Sequence, residues 1–164
     1  MQVKPYHMRR TDKQITKKAE IIGILMRQNL MTIAMCKSDQ PYLVTVDFLF
    51  DKKTNCFYFH CASKGKKNEY LKANPKIWGE VVEDHGYVQG NCEHGYRCVH
   101  FEGVAEFIDE IDEKKKVLEL MIEKMDDNPD QCKKDSIMKS KLKKVAICKI
   151  KAKRFTGKES LPKK

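Results

Sequence analysis

A chain of 164 residues has room for one domain with one core, and a hydrophobic share of 41% argues against disorder. No apolar run approaches the ~20 residues of a membrane-spanning helix, and residues 1–10 contain no apolar segment of the signal-peptide kind, so a cytoplasmic protein is expected. The net charge of +10 invites a nucleic-acid reading, but residues 1–132 carry 20 basic against 21 acidic side chains, which argues against sequence-specific binding.

Residues 11–28 read as a first helix, capped by Thr11 or Asp12, with Ile15, Ala19, Ile22 and Met26 as its apolar stripe. Residues 30–36 read as a strand and residues 37–41 as a turn. Residues 42–50 are rich in β-branched and aromatic side chains, with Val44, Val46 and Phe48 at period two. A turn over 51–55 leads into a strand over 56–61, which predicts a compact antiparallel meander. A short helix near 66–73 follows. Residues 77–83 are strand-like, 84–95 mostly loop, and 96–107 a long strand with Gly103 as a bulge. Residues 112–126 form an amphipathic helix with Val117, Met121 and Met125 on one side. One more short helix, 135–143, precedes a last strand, 145–150. From Lys133 onward there are 13 basic and 2 acidic residues, nearly all lysine, and the segment 133–164 reads as a solvated basic surface. About six strands with helices at the ends and in the connections predict a mainly β, antiparallel small barrel in one domain over 1–164. No GxGxxG or Walker A pattern is present.

The chemistry concentrates where the apolar run 57–59 ends in His60, Cys61, Ala62 and Ser63, followed by Lys64, Gly65, Lys66 and Lys67. A strand that turns into a helix presents backbone N–H groups and a positive helix end to an anion, and the lysines add charge, so a phosphate is the natural guest. The plain alternative is a solvated basic turn. A second constellation is Cys92, His94, Cys98 and His100. Its spacing is interleaved rather than the paired pattern of structural zinc, although Cys98 and His100 would share one face of a strand, so no metal is expected. Seven cysteines, an odd number without a secretion signal, read as free thiols, with Cys56 and Cys148 as small buried hydrophobes. Trp78 reads as a packing anchor, and Glu80, Glu83 and Asp84 as a solvated strand edge.

An ordered set of segments resembles a known family: residues 8–12 with Ile15, residues 34–36 and 40–46, residues 59–62 with Gly65 and Lys67, residues 71–75 and 96–99, then Gly103, Ala105 and Glu106, and residues 156–158. The chain resembles the FMN-binding split-barrel proteins related to pyridoxamine phosphate oxidase, in the branch of the nitroimidazole-resistance (Nim) flavoproteins. The resemblance implies a homodimer of Greek-key split barrels with FMN at the subunit interface. It implies that the flavin phosphate is held by His60, Cys61, Ala62, Ser63, Gly65, Lys66 and Lys67 with Arg97, that Tyr42, Val44, Thr45 and Val46 run along the isoalloxazine ring, and that Tyr96 and Lys158 approach the cofactor. It places His60 beside the flavin, where a group titrating near neutral pH could donate a proton. The function implied is an oxidoreductase reducing a small organic acceptor (a nitro-aromatic, a quinone or a flavin) with electrons from NAD(P)H or a redox protein. The alternative is a non-catalytic flavin- or haem-binding, electron-carrying module.

Overall fold

A computed structural model describes residues 8–161; the two ends of the span 1–164, including residues 1–7 of the opening segment and 162–164 of the basic one, lie outside the described residues. In chain order, a 3-10 turn Thr11–Lys13 leads to β1 (Gln14–Ile15), α1 (Lys18–Arg27), β2 (Leu30–Lys37), β3 (Gln40–Asp47), β4 (Leu49–Asp51), β5 (Cys56–Ala62) and α2 (Lys66–Ala73). Then come β6 (Lys76–Val88), β7 (Glu93–Ile108), α3 (Ile111–Met125), α4 (Pro129–Ser136), α5 (Lys139–Leu142) and β8 (Val145–Ser160). All described strands join one sheet in the order β3-β2-β6-β7-β8-β5-β4, with β1 beside β8, and every pairing is antiparallel.

The sheet curls because its inward positions are large and apolar. Phe48, Phe57, Phe59 and Phe101 are fully buried, and Phe57 stacks on Phe101 at 4.0 Å and 13°. Gly79 faces Phe101 across the β6–β7 ladder. A Cβ at Gly79 would come within 2.1 Å of that ring, so the absent side chain is what lets the ring lie flat in the core. β3 and β4 are the two edges of the sheet although they are consecutive in the chain. Between them the Phe48 N–H donates to the Asn29 carbonyl at 2.9 Å instead of joining a ladder. The edges approach without zipping, which is a split barrel.

Several expectations give way. The first helix is Lys18–Arg27, not 11–28, and Asp12 binds Arg10 instead of capping it. Ile15 is claimed by β8: it pairs with Gly157, and a Cβ there would sit 2.8 Å from the Ile15 side chain. The stretch read as loop, 84–95, is a hairpin, with a bulge at Asp84/Gly86 and glycines 86 and 90 at φ of 81° and 83° supplying its turns. The meander is not formed. The β2–β3 and β4–β5 hairpins sit at opposite ends of the sheet order. α4 had no counterpart in the sequence reading. Half of the basic segment is not loose surface either, because β8 runs on to Ser160 and lies between β7 and β5. Its cations pair across the ladder, Lys149 with Glu106 at 3.0 Å and Arg154 with Glu102 at 3.4 Å. The Gly103 bulge lies where it was expected, with the register shifting between Glu102 and Gly103.

Candidate functional site

The expected strand–turn–helix junction exists. β5 ends at Ala62, the Ser63 N–H donates to the Lys144 carbonyl at 3.1 Å, and Gly65 opens α2 at φ 137°, ψ 171°. Only glycine adopts that conformation at ease, and no atom lies within 4 Å of where its Cβ would stand. Around this turn is a cavity of about 310 Å³ lined by Tyr42, Cys61, Ala62, Lys64, Gly65, Lys66, Lys67 and Asn68. None of its lining residues is acidic. Lys64, Lys66 and Lys67 have no ion-pair partner among the described residues. Lys66 is steered over the Tyr42 and Tyr70 rings, at 4.5 and 5.5 Å, and Lys67 over Phe59 at 5.2 Å. No side chain caps α2, so its first amides remain available to a guest.

Asn68, which sequence reasoning missed, shapes this cavity. It is the one buried polar side chain among the described residues, 5% exposed. Its Nδ2 donates to the Ala62 carbonyl at 2.8 Å and its Oδ1 accepts from the Cys61 thiol at 3.2 Å. Helix and strand end are thereby tied across the turn. Burial pushes the Cys61 thiol up, with Lys67 opposing, so this cysteine stays protonated. The missed signal was faint: an asparagine three residues after a glycine in a polar run.

The other expected residues divide into two groups. Val44 and Val46 point inward from β3, while Thr45 points out and shares a hydrogen bond of 3.0 Å with Thr32. As an edge strand, β3 has one row of backbone groups without a ladder partner among the described residues. His60 is exposed on β5, on the face opposite Cys61, and its ring has no hydrogen bond or ion pair among the described residues. Tyr96, Arg97 and Lys158 lie elsewhere in the chain's own barrel. Cys61 pairs with Ala146 at one end of β8, and Lys158 pairs with Cys98 near the other, about 40 Å along the strand. Arg97 is held by Glu159 at 3.0 Å and Glu20 at 2.6 Å. Lys158 sits 5.7 Å over the Tyr96 ring.

The second constellation is rearranged. His94 turns to Asp84 at 2.7 Å, and Cys92 is exposed in the hairpin turn. Cys98 and His100 do share a face of β7, and Glu80 of β6 joins them there. Trp78 is no core anchor, being 50% exposed on that outward face. Glu83 is no solvated edge either, since Arg27 reaches it at 2.6 Å and His85 at 3.1 Å.

Comparison with known proteins agrees with this architecture. The sequence profile of the pyridoxamine 5'-phosphate oxidase family matches residues 17–159. A candidate 5-nitroimidazole antibiotic resistance protein from Bacteroides thetaiotaomicron superposes with a TM-score of 0.71 at 20% identity, over 89% of this chain and 86% of that one. The flavocytochrome Anf3 of Azotobacter vinelandii superposes with a TM-score of 0.81 at 16% identity, over 96% and 73%. An uncharacterized protein of Rhizobium meliloti is 25% identical over 71 residues, 43% of this chain, and the match spans 44% of that relative's length. No described helix is long and apolar enough to cross a membrane. With the profile running from just before α1 almost to the end of β8, this chain belongs to the pyridoxamine 5'-phosphate oxidase family.

Proposed function

We propose that the chain is a flavoprotein that binds FMN with its phosphate in the lysine-lined cavity, and that it reduces a small organic acceptor such as a nitro-aromatic, a quinone or a free flavin. The carrying observation is that three lysines line one concavity without a carboxylate among them, whereas Arg97, Lys149 and Arg154 are paired. Their charges and the first amides of α2 suit a phosphate dianion, and Gly65 leaves the backbone open to close approach. The free edge of β3 at Val44, Thr45 and Val46 suits hydrogen bonding along a flat ring. Flavin would supply the hydride or electron chemistry, with NAD(P)H or a redox protein as donor. His60, exposed on the face of β5 opposite Cys61, would hand a proton to the reduced acceptor.

The complete site needs two chains. Arg97, Tyr96 and Lys158 stand about 40 Å along β8 from the cavity of their own chain, which supports a cofactor held between two subunits. Leu43 and Trp78, flanking Ala34 on adjacent strands, are 64% and 50% exposed and offer an apolar face for a second copy. Seven cysteines without a disulfide suit a reducing cytoplasm.

The test is a visible spectrum of the freshly purified full chain, with released cofactor identified by mass. Flavin bands and the mass of FMN support the reading. A Soret band supports the second reading, a haem-binding or electron-carrying module, which the likeness to a flavocytochrome favours. A colourless protein that takes up no added FMN overturns both. In the FMN-loaded protein, His60→Ala is expected to keep the cofactor and lose most acceptor turnover; unchanged turnover removes His60 from the chemistry.

A further inference from the structure

On the outward face of β6 and β7, three unlike donors converge. Glu80 and His100 are direct partners in the ladder, and Cys98 stands two residues before His100 on the same face. His100 Nε2 is 2.7 Å from a Glu80 carboxylate oxygen. One donor atom from each of the three lies within 4.8 Å of the other two. We propose that Glu80, Cys98 and His100 form a divalent-metal site whose matching ion is Zn²⁺.

The donor set selects the ion. Thiolate, imidazole and carboxylate are the three ligand types zinc takes, at about 2.0–2.3 Å, which places neighbouring donors of a tetrahedron roughly 3.3–3.8 Å apart. Donors already grouped this tightly need only small side-chain rotations to admit the ion. Magnesium and calcium ask for oxygen ligands throughout and are disfavoured by the thiolate and imidazole. Two anionic ligands also neutralise a dication, which suits a site that is only half open to water.

Three protein ligands leave a fourth position. His100, alone of the three donors, also lines a second cavity of about 310 Å³, together with Trp78, Arg154, Thr156 and Lys158. The cations there favour a hydroxide or an anionic exogenous ligand in that position. Binding is coupled to proton release. Cys98, 4% exposed, ligates as the thiolate, so one proton passes to solution when the metal–sulfur bond forms. The ordinary alternative is an ion pair beside an inert buried thiol, and cobalt spectroscopy separates the two. None of the three donors lines the lysine cavity, although Lys158 shares the second cavity with His100, so metal affinity and FMN uptake are read as separate measurements.

The chelator-treated, desalted full chain is titrated with Co²⁺ as the spectroscopic probe, then with Zn²⁺. One Co²⁺ per chain is expected, with a thiolate-to-cobalt charge-transfer band that Zn²⁺ bleaches. Cys98→Ser is expected to abolish that band. Glu80→Gln and His100→Ala, both at half-exposed positions that need not disturb the core, are expected to weaken Zn²⁺ by at least about 10-fold, the least that even an outer-shell loss costs. Cys92→Ala and His94→Ala, outside the cluster, are expected to leave the titration unchanged. A native chain without the charge-transfer band overturns the site. So does a band that survives Cys98→Ser, or Zn²⁺ affinity unaltered in both Glu80→Gln and His100→Ala.

Discussion

Where β5 gives way to α2, a single amide side chain satisfies the last carbonyl of the strand and receives a thiol proton, and Asn68 is nearly sealed while doing so. Asn68→Ala leaves the Ala62 carbonyl without that donor and is expected to cost about 1–3 kcal/mol of stability, with FMN held more weakly because the lysine turn loses its tie. Chemical denaturation and a flavin titration check the two effects; an Asn68→Ala protein that matches the parent in both would show that the turn holds itself. Asn68→Asp keeps the acceptor for Cys61 but removes the donor, and is expected to resemble the alanine variant. The lysines and glycine beside Asn68 could be read from the sequence because their meaning is local: a break in an apolar run, a conformationally free residue, a run of charge. Asn68 could not, because its partners are fixed only when the strand end folds back over the helix. Trp78 failed for a related reason, since size alone does not tell which face of a strand is covered.

At the scale of elements, α3 is pinned to the barrel by its own charge. Lys124 donates to the carbonyls of Gln28 at 2.6 Å and Phe48 at 3.1 Å, and lies 4.3 Å from the Phe48 ring centroid. It thereby serves the corner where β3 breaks into β4. Burial brings its ammonium down to about 8 from an ordinary 10.5. Between those values the unfolded chain holds the proton more firmly than the folded one, so stability rises with pH across that window and is lost as pH falls through about 8. Denaturant midpoints of the parent and of Lys124→Met at pH 7 and pH 9.5 test this. The parent's advantage over the variant is expected to widen at the higher pH; a constant difference would mean the ammonium is as well solvated as in the unfolded chain. The amphipathic stripe of α3 was legible because Val117 and Met121, both buried, keep helical spacing. The lysine's role was not, because it depends on a corner distant in sequence. The hairpin over 84–95 was hidden likewise, its turn-rich composition resembling a loop until the ladder aligned it.

At the scale of the whole molecule, the surplus of positive charge looked like a tail, and part of it is built into the β8 ladder. Lys149, Arg154 and Arg97 are answered by carboxylates of β7, β8 and α1, whereas the lysine cavity gathers three cations with no carboxylate among its lining residues. The apolar face at Leu43 and Trp78 is expected to hold a second chain. Light scattering on the parent should give a dimer, and Leu43→Glu with Trp78→Glu, which together remove roughly 2–3 kcal/mol of apolar burial per chain, should give a monomer that has lost most of its FMN. A monomeric parent with a full complement of flavin would remove the two-chain site. The resemblance carried the barrel class from ordered short segments, yet no such segment could tell that Cys61 and Lys158 stand toward opposite ends of β8.

The position of β8 also governs how the protein is made. Every ladder on either side of the barrel is joined through it: β3-β2-β6-β7 lies to one side, and β5-β4 to the other. A nascent chain emerging N-terminus first therefore displays two unjoined half-sheets, with the edges of β5 and β7 open to any passing strand, until Val145–Ser160 has cleared the ribosome. Closure is then one late event that zips three neighbours at once, so the interval before it is when a holding chaperone matters most.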